Sequence, residues 1–141
     1  MKSIERRIEI NSTPEQLFQA ITSEDGLKHW WTNDVKFKPS EGSDFELGFY
    51  NRSIVLKFRI DTLQQHSLVR WVCLAGPDEY KSSKITFNIN VTENGVDLLL
   101  NHSELNGSDQ FINHAIDSWD SVLNSLKSYV ETGRDNPISR S

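Results

Sequence analysis

The most constraining feature of this 141-residue chain is one change of hydrophobic period, from two to about 3.6, near Ser108. Before that point, apolar and polar residues alternate in short runs that are separated by turn signals. After it, apolar residues form one broad helical stripe: Phe111, Ile112, Ala115, Ile116, Trp119, Val122, Leu123, Leu126 and Val130. One long helix therefore has to cover the apolar face of several strands, which predicts a two-layer α+β fold.

The strands themselves are predicted from the alternating runs. A first strand over residues 4–10 is followed by six more, over residues 35–37, 44–49, 54–61, 68–74, 85–91 and 96–103. Asn94-Gly95 is the strongest hairpin signal, and residues 39–42 predict another turn. Because successive strands are joined by short turns, we expect an antiparallel sheet.

Two short helices are predicted between the first strand and the second. Pro14 suits the first position of a helix that runs to about residue 22. A second helix begins at residue 23 or 24 and carries the pair Trp30-Trp31. The predicted order is therefore one strand, two short helices, six strands and one long helix.

Composition excludes several classes of protein. A formal net charge of -5 leaves no basic surface for a phosphate backbone, so no nucleic-acid partner is expected. No apolar run approaches the roughly 20 residues that span a bilayer, and residues 1–7 show no signal-peptide pattern. Cys73 is the single cysteine, which excludes an internal disulfide and predicts a buried thiol. We expect a cytoplasmic protein without membrane insertion.

The chain is predicted to form one domain over residues 1–133. Its length suits a single core, and it shows no internal repeat or low-complexity tract. Gly133 supplies a stop for the long helix, and residues 134–141, which include Pro137, are predicted to be a frayed tail. For the oligomeric state, a monomer and a homodimer are both left open.

Several segments, taken in order, carry a resemblance to a known family. They are Pro14-Glu15-Gln16-Leu17-Phe18-Gln19-Ala20-Ile21, Trp30-Trp31, Leu99-Leu100-Asn101-His102-Ser103, Trp119-Asp120-Ser121-Val122-Leu123 and Tyr129-Val130-Glu131-Thr132-Gly133. In these segments the chain resembles proteins homologous to the activator of the 90-kDa heat-shock chaperone ATPase. That family belongs to the START-like (SRPBCC) superfamily, and the resemblance covers residues 4 to 133.

The resemblance implies a helix-grip fold, in which a strongly curved antiparallel sheet wraps around the C-terminal helix. In the superfamily, a pocket between the two receives lipids, sterols, polyketides or other apolar molecules. This chain has Gly42-Ser43 where the family often has Gly-Gly, and Ser118-Trp119 where it often has Gly-Trp. Both replacements are small, so we expect the fold to be kept, whereas the relatives' substrate preferences do not transfer.

Most of the residues expected to line this pocket follow from the alternation of side chains along the strands and from the stripe of the long helix, and Trp30 and Trp31 come from the second short helix. The predicted ligand-binding residues are Trp30, Trp31, Phe45, Leu47, Phe49, Leu56, Phe58, Trp71, Phe87, Ile89, Leu98, Leu100, His102, Phe111, Ala115 and Trp119. For each tryptophan, packing in the core is the alternative. An empty apolar hollow of about 300 Å³ would cost about 7 kcal/mol, so we expect a shrunken pocket or one filled by water or ligand.

His102 is the most informative polar residue of this set, because it shares a strand face with Leu98 and Leu100. Three roles are left open: a histidine satisfied by neighbouring groups, a group that orients a ligand, or a general base. The sequence contains no phosphate-binding loop, His-Glu-x-x-His, Gly-x-Ser-x-Gly or Cys-x-x-Cys motif. We therefore assign no catalytic residue, no metal site and no cofactor.

The leading functional hypothesis is non-enzymatic binding of an apolar or amphipathic small molecule, lipid-like or polyketide-like, between the sheet and the long helix. One alternative is an enzyme resembling the superfamily's polyketide cyclases and dehydratases, with His102 as acid or base. Another is a co-chaperone that stimulates the ATPase of the 90-kDa heat-shock chaperone. The chaperone partner is disfavoured, because the sequence shows no second domain for docking.

Overall fold

The structure is a computed structural model that describes residues 1–37 and 40–138. The strands in this part of the chain are β1 (Lys2–Ile10), β2 (Asp34–Lys36), β3 (Asp44–Phe49), β4 (Ile54–Gln64), β5 (Leu68–Ala75), β6 (Lys84–Thr92) and β7 (Gly95–Leu105). The helices are α1 (Pro14–Thr22), α2 (Glu24–Trp30) and α3 (Asp109–Thr132), and a 3₁₀ turn covers Asp78–Tyr80.

All of these strands join one antiparallel sheet in the order β1-β7-β6-β5-β4-β3-β2. Strands β2 to β7 follow one another in sequence order, as short turns require. Strand β1 instead pairs with β7, from Lys2 opposite Leu105 to Ile10 opposite Val96. The predicted fold is confirmed: a curved antiparallel sheet holds a long C-terminal helix, with two short helices after the first strand.

Capping side chains fix where the helices begin and end. At the start of α1, the Thr13 hydroxyl accepts a hydrogen bond from the backbone N–H of Gln16 at 3.2 Å. At the start of α3, the Ser108 hydroxyl accepts one from the backbone N–H of Phe111 at 3.1 Å. Helix α3 ends where Gly133 adopts a left-handed φ of 76°. Both predicted ends of the long helix are confirmed.

The core lies between the sheet and the helices, and strand parity identifies most of its members. The exceptions lie at strand ends. Ile54 is the first residue of β4 and Val91 is close to the end of β6; both continue the alternation of buried residues along their strands, yet they are 44% and 71% exposed. Alternation along a strand predicts the face that a side chain points to, but burial also needs a covering layer, which the strand ends lack.

Some sequence predictions fall at the edge of the described residues. Pro39 of the predicted turn over residues 39–42 and residues 139–141 of the predicted tail lie outside the described residues. The single-domain boundary at residue 133 stays a prediction. In the described part of the chain, no helix combines the length and the apolar character needed to cross a membrane.

Candidate functional site

An open groove lies at one end of the seam between the sheet and α3. Its volume is about 490 Å³. Its walls come from β3, β4 and β6, from the 3₁₀ turn, and from α3 between Phe111 and Val122. Two other clefts, beside α1 and at the β6–β7 hairpin, have walls of mainly polar and small residues. The groove is therefore the candidate site for an apolar molecule.

Part of the predicted ligand-binding set lies in the walls of this groove. These residues are Trp31, Phe49, Leu56, Phe58, Phe111 and Trp119. All except Phe111 are buried, so they form the floor of the groove, whereas the half-buried Phe111 stands at its side. The sheet and α3 thus contribute to one apolar surface, as the helix-grip arrangement requires.

The rim of the groove consists of exposed apolar side chains that parity did not assign to the site. Tyr50 follows β3, Ile54 begins β4, and Ile138 comes from the segment beyond α3. Tyr50 and Ile138 are 60% and 42% exposed, an unfavourable environment for large apolar groups unless a ligand or partner covers them. A loop and a chain terminus carry no periodic signal, so hydrophobic patterning does not predict Tyr50 and Ile138 at the site.

The 3₁₀ turn supplies a second set of residues that sequence reasoning missed. Pro77 and Tyr80 line the groove together with Ile85 from β6. The Tyr80 ring lies edge-on to Phe111, with ring centroids 5.7 Å apart. Burial raises the pKa of the Tyr80 phenol, so its hydroxyl stays protonated and can donate a hydrogen bond at neutral pH.

Helix α3 presents polar and small side chains to the groove beside its apolar ones. His114, Ser118 and Ser121 line the groove at spacings of four and three residues, so they follow one face of the helix, and Val122 lies next to them. These positions lie outside the apolar stripe of the long helix, so the predicted ligand-binding set did not include them. The groove consequently has an apolar floor and a polar stripe on the α3 side, which suits an amphipathic molecule.

An ion-pair network orders the turn that carries the rim. Tyr50, Asn51 and Arg52 all have positive φ, between 52° and 64°, which is costly for residues other than glycine. The Arg52 guanidinium donates to Asp34 Oδ1 at 2.8 Å and to Glu46 Oε1 at 2.5 Å. These bonds between β2, β3 and the turn hold the strained backbone beside the groove.

The seam is closed next to the groove by closely packed aromatic rings. Trp71 lies at the centre, with its ring centroid 4.9 Å from that of Phe45, 5.4 Å from that of Phe58 and 5.0 Å from that of Phe87. The indole N–H of Trp71 is buried and has no hydrogen-bond partner among the described residues. Packing of rings, rather than polar contact, therefore holds this part of the core together.

The remaining predicted ligand-binding residues lie in this packed core and not in the groove. They are Trp30, Phe45, Leu47, Trp71, Phe87, Ile89, Leu98, Leu100, His102 and Ala115, each at most 5% exposed. The predicted faces agree with their burial, but inward-facing side chains from both layers fill the space between them. Strand parity cannot distinguish a residue that lines a hollow from one that fills it.

His102 is held by hydrogen bonds at both ring nitrogens. The Trp119 indole N–H donates to His102 Nδ1 at 3.1 Å, so the ring hydrogen lies on Nε2. Nε2 donates to Ser83 Oγ at 2.9 Å, and the Ser83 hydroxyl donates to the Tyr80 carbonyl oxygen at 2.5 Å. Burial lowers the His102 pKa to about 4, which keeps the imidazole neutral at pH 7. Of the three roles left open by the sequence, the satisfied histidine agrees with this geometry.

Neither Cys73 nor a metal site supplies a reactive group in the described part of the chain. The buried thiol predicted at Cys73 is confirmed, and burial raises its pKa to about 11, which disfavours the nucleophilic thiolate. Across residues 1–37 and 40–138, no group of three or more His, Cys, Asp and Glu residues is placed to hold a metal ion.

Comparison with protein families gives one match over most of the chain. The model described as Activator of Hsp90 ATPase homolog 1-like protein matches residues 11–131. Comparison with curated proteins finds no match.

Solved structures reproduce the fold closely. The solution structure of the Aha1 dimer from Colwellia psychrerythraea is 32% identical, with a TM-score of 0.83 over 94% of this chain and 98% of that chain. DynU16, a protein of the dynemicin biosynthetic locus, has a TM-score of 0.84 at 13% identity, over 100% of this chain and 51% of that one. CalU16 from Micromonospora echinospora has a TM-score of 0.76 at 18% identity, over 96% of this chain and 77% of that one. The last two similarities concern the fold alone.

Proposed function

Because this chain belongs to the family of Activator of Hsp90 ATPase homolog 1-like proteins, we propose that it binds an apolar or amphipathic small molecule in the groove beside α3. The observation that carries this proposal is the groove itself. Its volume of about 490 Å³ falls within the roughly 300–1,000 Å³ typical of small-molecule sites. The floor is apolar and aromatic, and a ligand seated on it would also cover the exposed rim.

The polarity of the walls supports an amphipathic ligand. The apolar part of such a molecule would pack on Phe49, Leu56 and Trp119, and its polar end would face the stripe of His114, Ser118 and Ser121. Helix α3 spans about 10 Å between the first and the last residue of this stripe. A molecule with an elongated apolar body and polar groups along one edge matches both walls.

Titration with the fluorescent amphipathic probe anilinonaphthalene sulfonate tests the proposal. Ser118→Trp places a large ring in the groove, whereas Asn124→Trp places the same ring at an exposed position of α3 away from the groove. We expect the first change to weaken binding at least about tenfold, equivalent to about 1.4 kcal/mol, and the second to leave it unchanged. No binding by the wild-type protein, or equal binding by both variants, would contradict the proposal.

Cyclase-like catalysis through His102 is not favoured by the site. The imidazole lies outside the groove, and both of its ring nitrogens are engaged within the protein. A general acid or base needs to reach the reacting group of a bound substrate. His102 would have to break a buried hydrogen bond before it could do so.

A second candidate function comes from the description of the family and from the Colwellia protein, which is an Aha1 dimer at 32% identity. Under this hypothesis the chain forms a homodimer and stimulates the ATPase of an Hsp90 chaperone. Light scattering would give the mass in solution, and steady-state ATP hydrolysis by Hsp90 would report stimulation. A monomeric mass together with unchanged hydrolysis would eliminate this candidate.

A further inference from the structure

The residues beyond α3 return along the helix toward the groove. Gly133, with its left-handed backbone, ends α3 and turns the chain back. Residues 134–138, the C-terminal strap, then run between α2 and α3. The last residue of the strap, Ile138, lies in the groove wall.

Two hydrogen bonds to the main chain of Asn136 fix the middle of the strap. The backbone N–H of Asn136 donates to the His29 carbonyl oxygen in α2 at 2.9 Å. The Asn136 carbonyl oxygen accepts from the Ser125 hydroxyl in α3 at 2.6 Å. Ser125 is only 5% exposed, and its hydroxyl loses this hydrogen-bond partner whenever the strap leaves. The strap therefore joins the two helices that flank one side of the groove.

A side-chain contact adds to this attachment. His29 Nδ1 lies 3.0 Å from Asp135 Oδ1, and the His29 ring stacks on Tyr129 in α3 with centroids 5.1 Å apart. On the strap, all three attachments are made by Asp135 and Asn136, which are exposed and lie in a segment without helix or strand structure. Segments held by a few such bonds open at lower free energy than the core of a domain.

The position of the attachment relates the strap to the groove. Ser121 and Val122, in the groove wall, lie about one helical turn before Ser125, and Trp31 follows the helix that carries His29. We propose that the C-terminal strap is a movable side of the groove, and that its release from Ser125 and His29 gives a ligand access to the apolar floor. This inference rests on the proposed function and adds its regulation.

Two substitutions of Asn136 form a matched test. Asn136→Pro removes the backbone N–H that bonds to His29, whereas Asn136→Ala keeps both main-chain groups. In Asn136→Pro we expect the binding and release rate constants of anilinonaphthalene sulfonate to rise together about fivefold, as expected when a closed state loses one hydrogen bond. Asn136→Ala should keep the wild-type rates. Ser125→Ala, which removes the other bond, should act in the same direction as Asn136→Pro.

A second readout needs no ligand. Trp31 and Trp119 line the groove, whereas Trp30 and Trp71 are fully buried elsewhere. An opened strap should therefore increase the quenching of tryptophan fluorescence by acrylamide in Asn136→Pro and in Ser125→Ala, but not in Asn136→Ala.

The two readouts distinguish a failure of the strap proposal from a failure of the proposed function. Equal rates and equal quenching in Asn136→Pro, Ser125→Ala and Asn136→Ala would overturn the strap, even if all three variants bind the probe. Failure of the wild-type protein to bind the probe would instead contradict the proposed function. In that case acrylamide quenching alone would decide whether the strap opens.

Discussion

The two halves of the sheet–helix seam are built from the same alternating strands, yet one half is filled and the other is open. Around Trp71, rings from three neighbouring strands lie with their centroids about 5 Å from that of Trp71, and Phe87 meets Trp119 of α3 across the layers at 6.4 Å. Beside Phe111, α3 presents Ser118 and Ser121, which are too small to reach the opposite wall. In the open half, these small helix side chains leave the space between the layers unfilled.

Two tryptophans form the partition between the halves. The Trp31 ring lies 5.3 Å from the Trp119 ring and 5.9 Å from the Trp71 ring, centroid to centroid. Trp31 and Trp119 also line the groove, so this pair contacts the filled half on one side and the open groove on the other. The indole N–H of Trp119 donates a hydrogen bond to His102 in the filled half, and this bond fixes the position of the partition.

The largest expected difference between the halves is in stability. Trp71→Ala should lower the free energy of unfolding by about 3–5 kcal/mol, because it leaves a cavity in the filled half. Phe111→Ala, at the half-buried wall of the groove, should cost about 1–2 kcal/mol, since solvent already reaches the site. Urea unfolding of both variants measures the two values. Equal losses would mean that the two halves are packed alike.

Lowering the pH should destabilise the filled half of the seam through His102. Its pKa falls from 6.5 in the unfolded chain to about 4 in the folded protein, so the unfolded state binds the extra proton first as the pH drops. The stability contributed by the neutral imidazole is complete above pH 6.5 and is lost toward pH 4, by about 3 kcal/mol.

Chemical unfolding between these pH values, compared with His102→Gln, measures this loss. Glutamine can accept from Trp119 and donate to Ser83 but does not titrate, so the variant should lack this part of the pH dependence. Asp44, Asp109 and Glu131 have lowered pKa values and contribute to acid unfolding in both proteins. A wild-type profile that runs parallel to that of His102→Gln would show that His102 is not a buried neutral group with a lowered pKa.

How far the sequence predicts this molecule differs between its parts. The long helix and the faces of β3, β6 and β7 follow from local periodicity, which each segment carries by itself. The groove does not, because it depends on how side chains from different layers fill a shared volume. Tyr80 in a 3₁₀ turn and Ile138 beyond α3 belong to no periodic run, so only the three-dimensional fold brings them to the site.

The smallest expected effect on stability concerns the exposed apolar residues at the strand ends. Ile54→Ser at the groove rim and Val91→Ser at the far end of β6 should each change the free energy of unfolding by about 0.5 kcal/mol or less. Only Ile54→Ser should weaken the binding of anilinonaphthalene sulfonate, because only Ile54 lines the groove. Equal effects of the two changes on affinity would place the probe elsewhere.

The most direct test of whether a ligand enters the open half and not the filled one uses NMR. It follows the four indole N–H signals while anilinonaphthalene sulfonate is added to the wild-type protein. The signals of Trp31 and Trp119, in the groove wall, should shift with the probe, while those of Trp30 and Trp71 stay in place. Shifts of Trp71 that equal those of Trp119, or no shift of any indole at saturation, would contradict a ligand site confined to the groove.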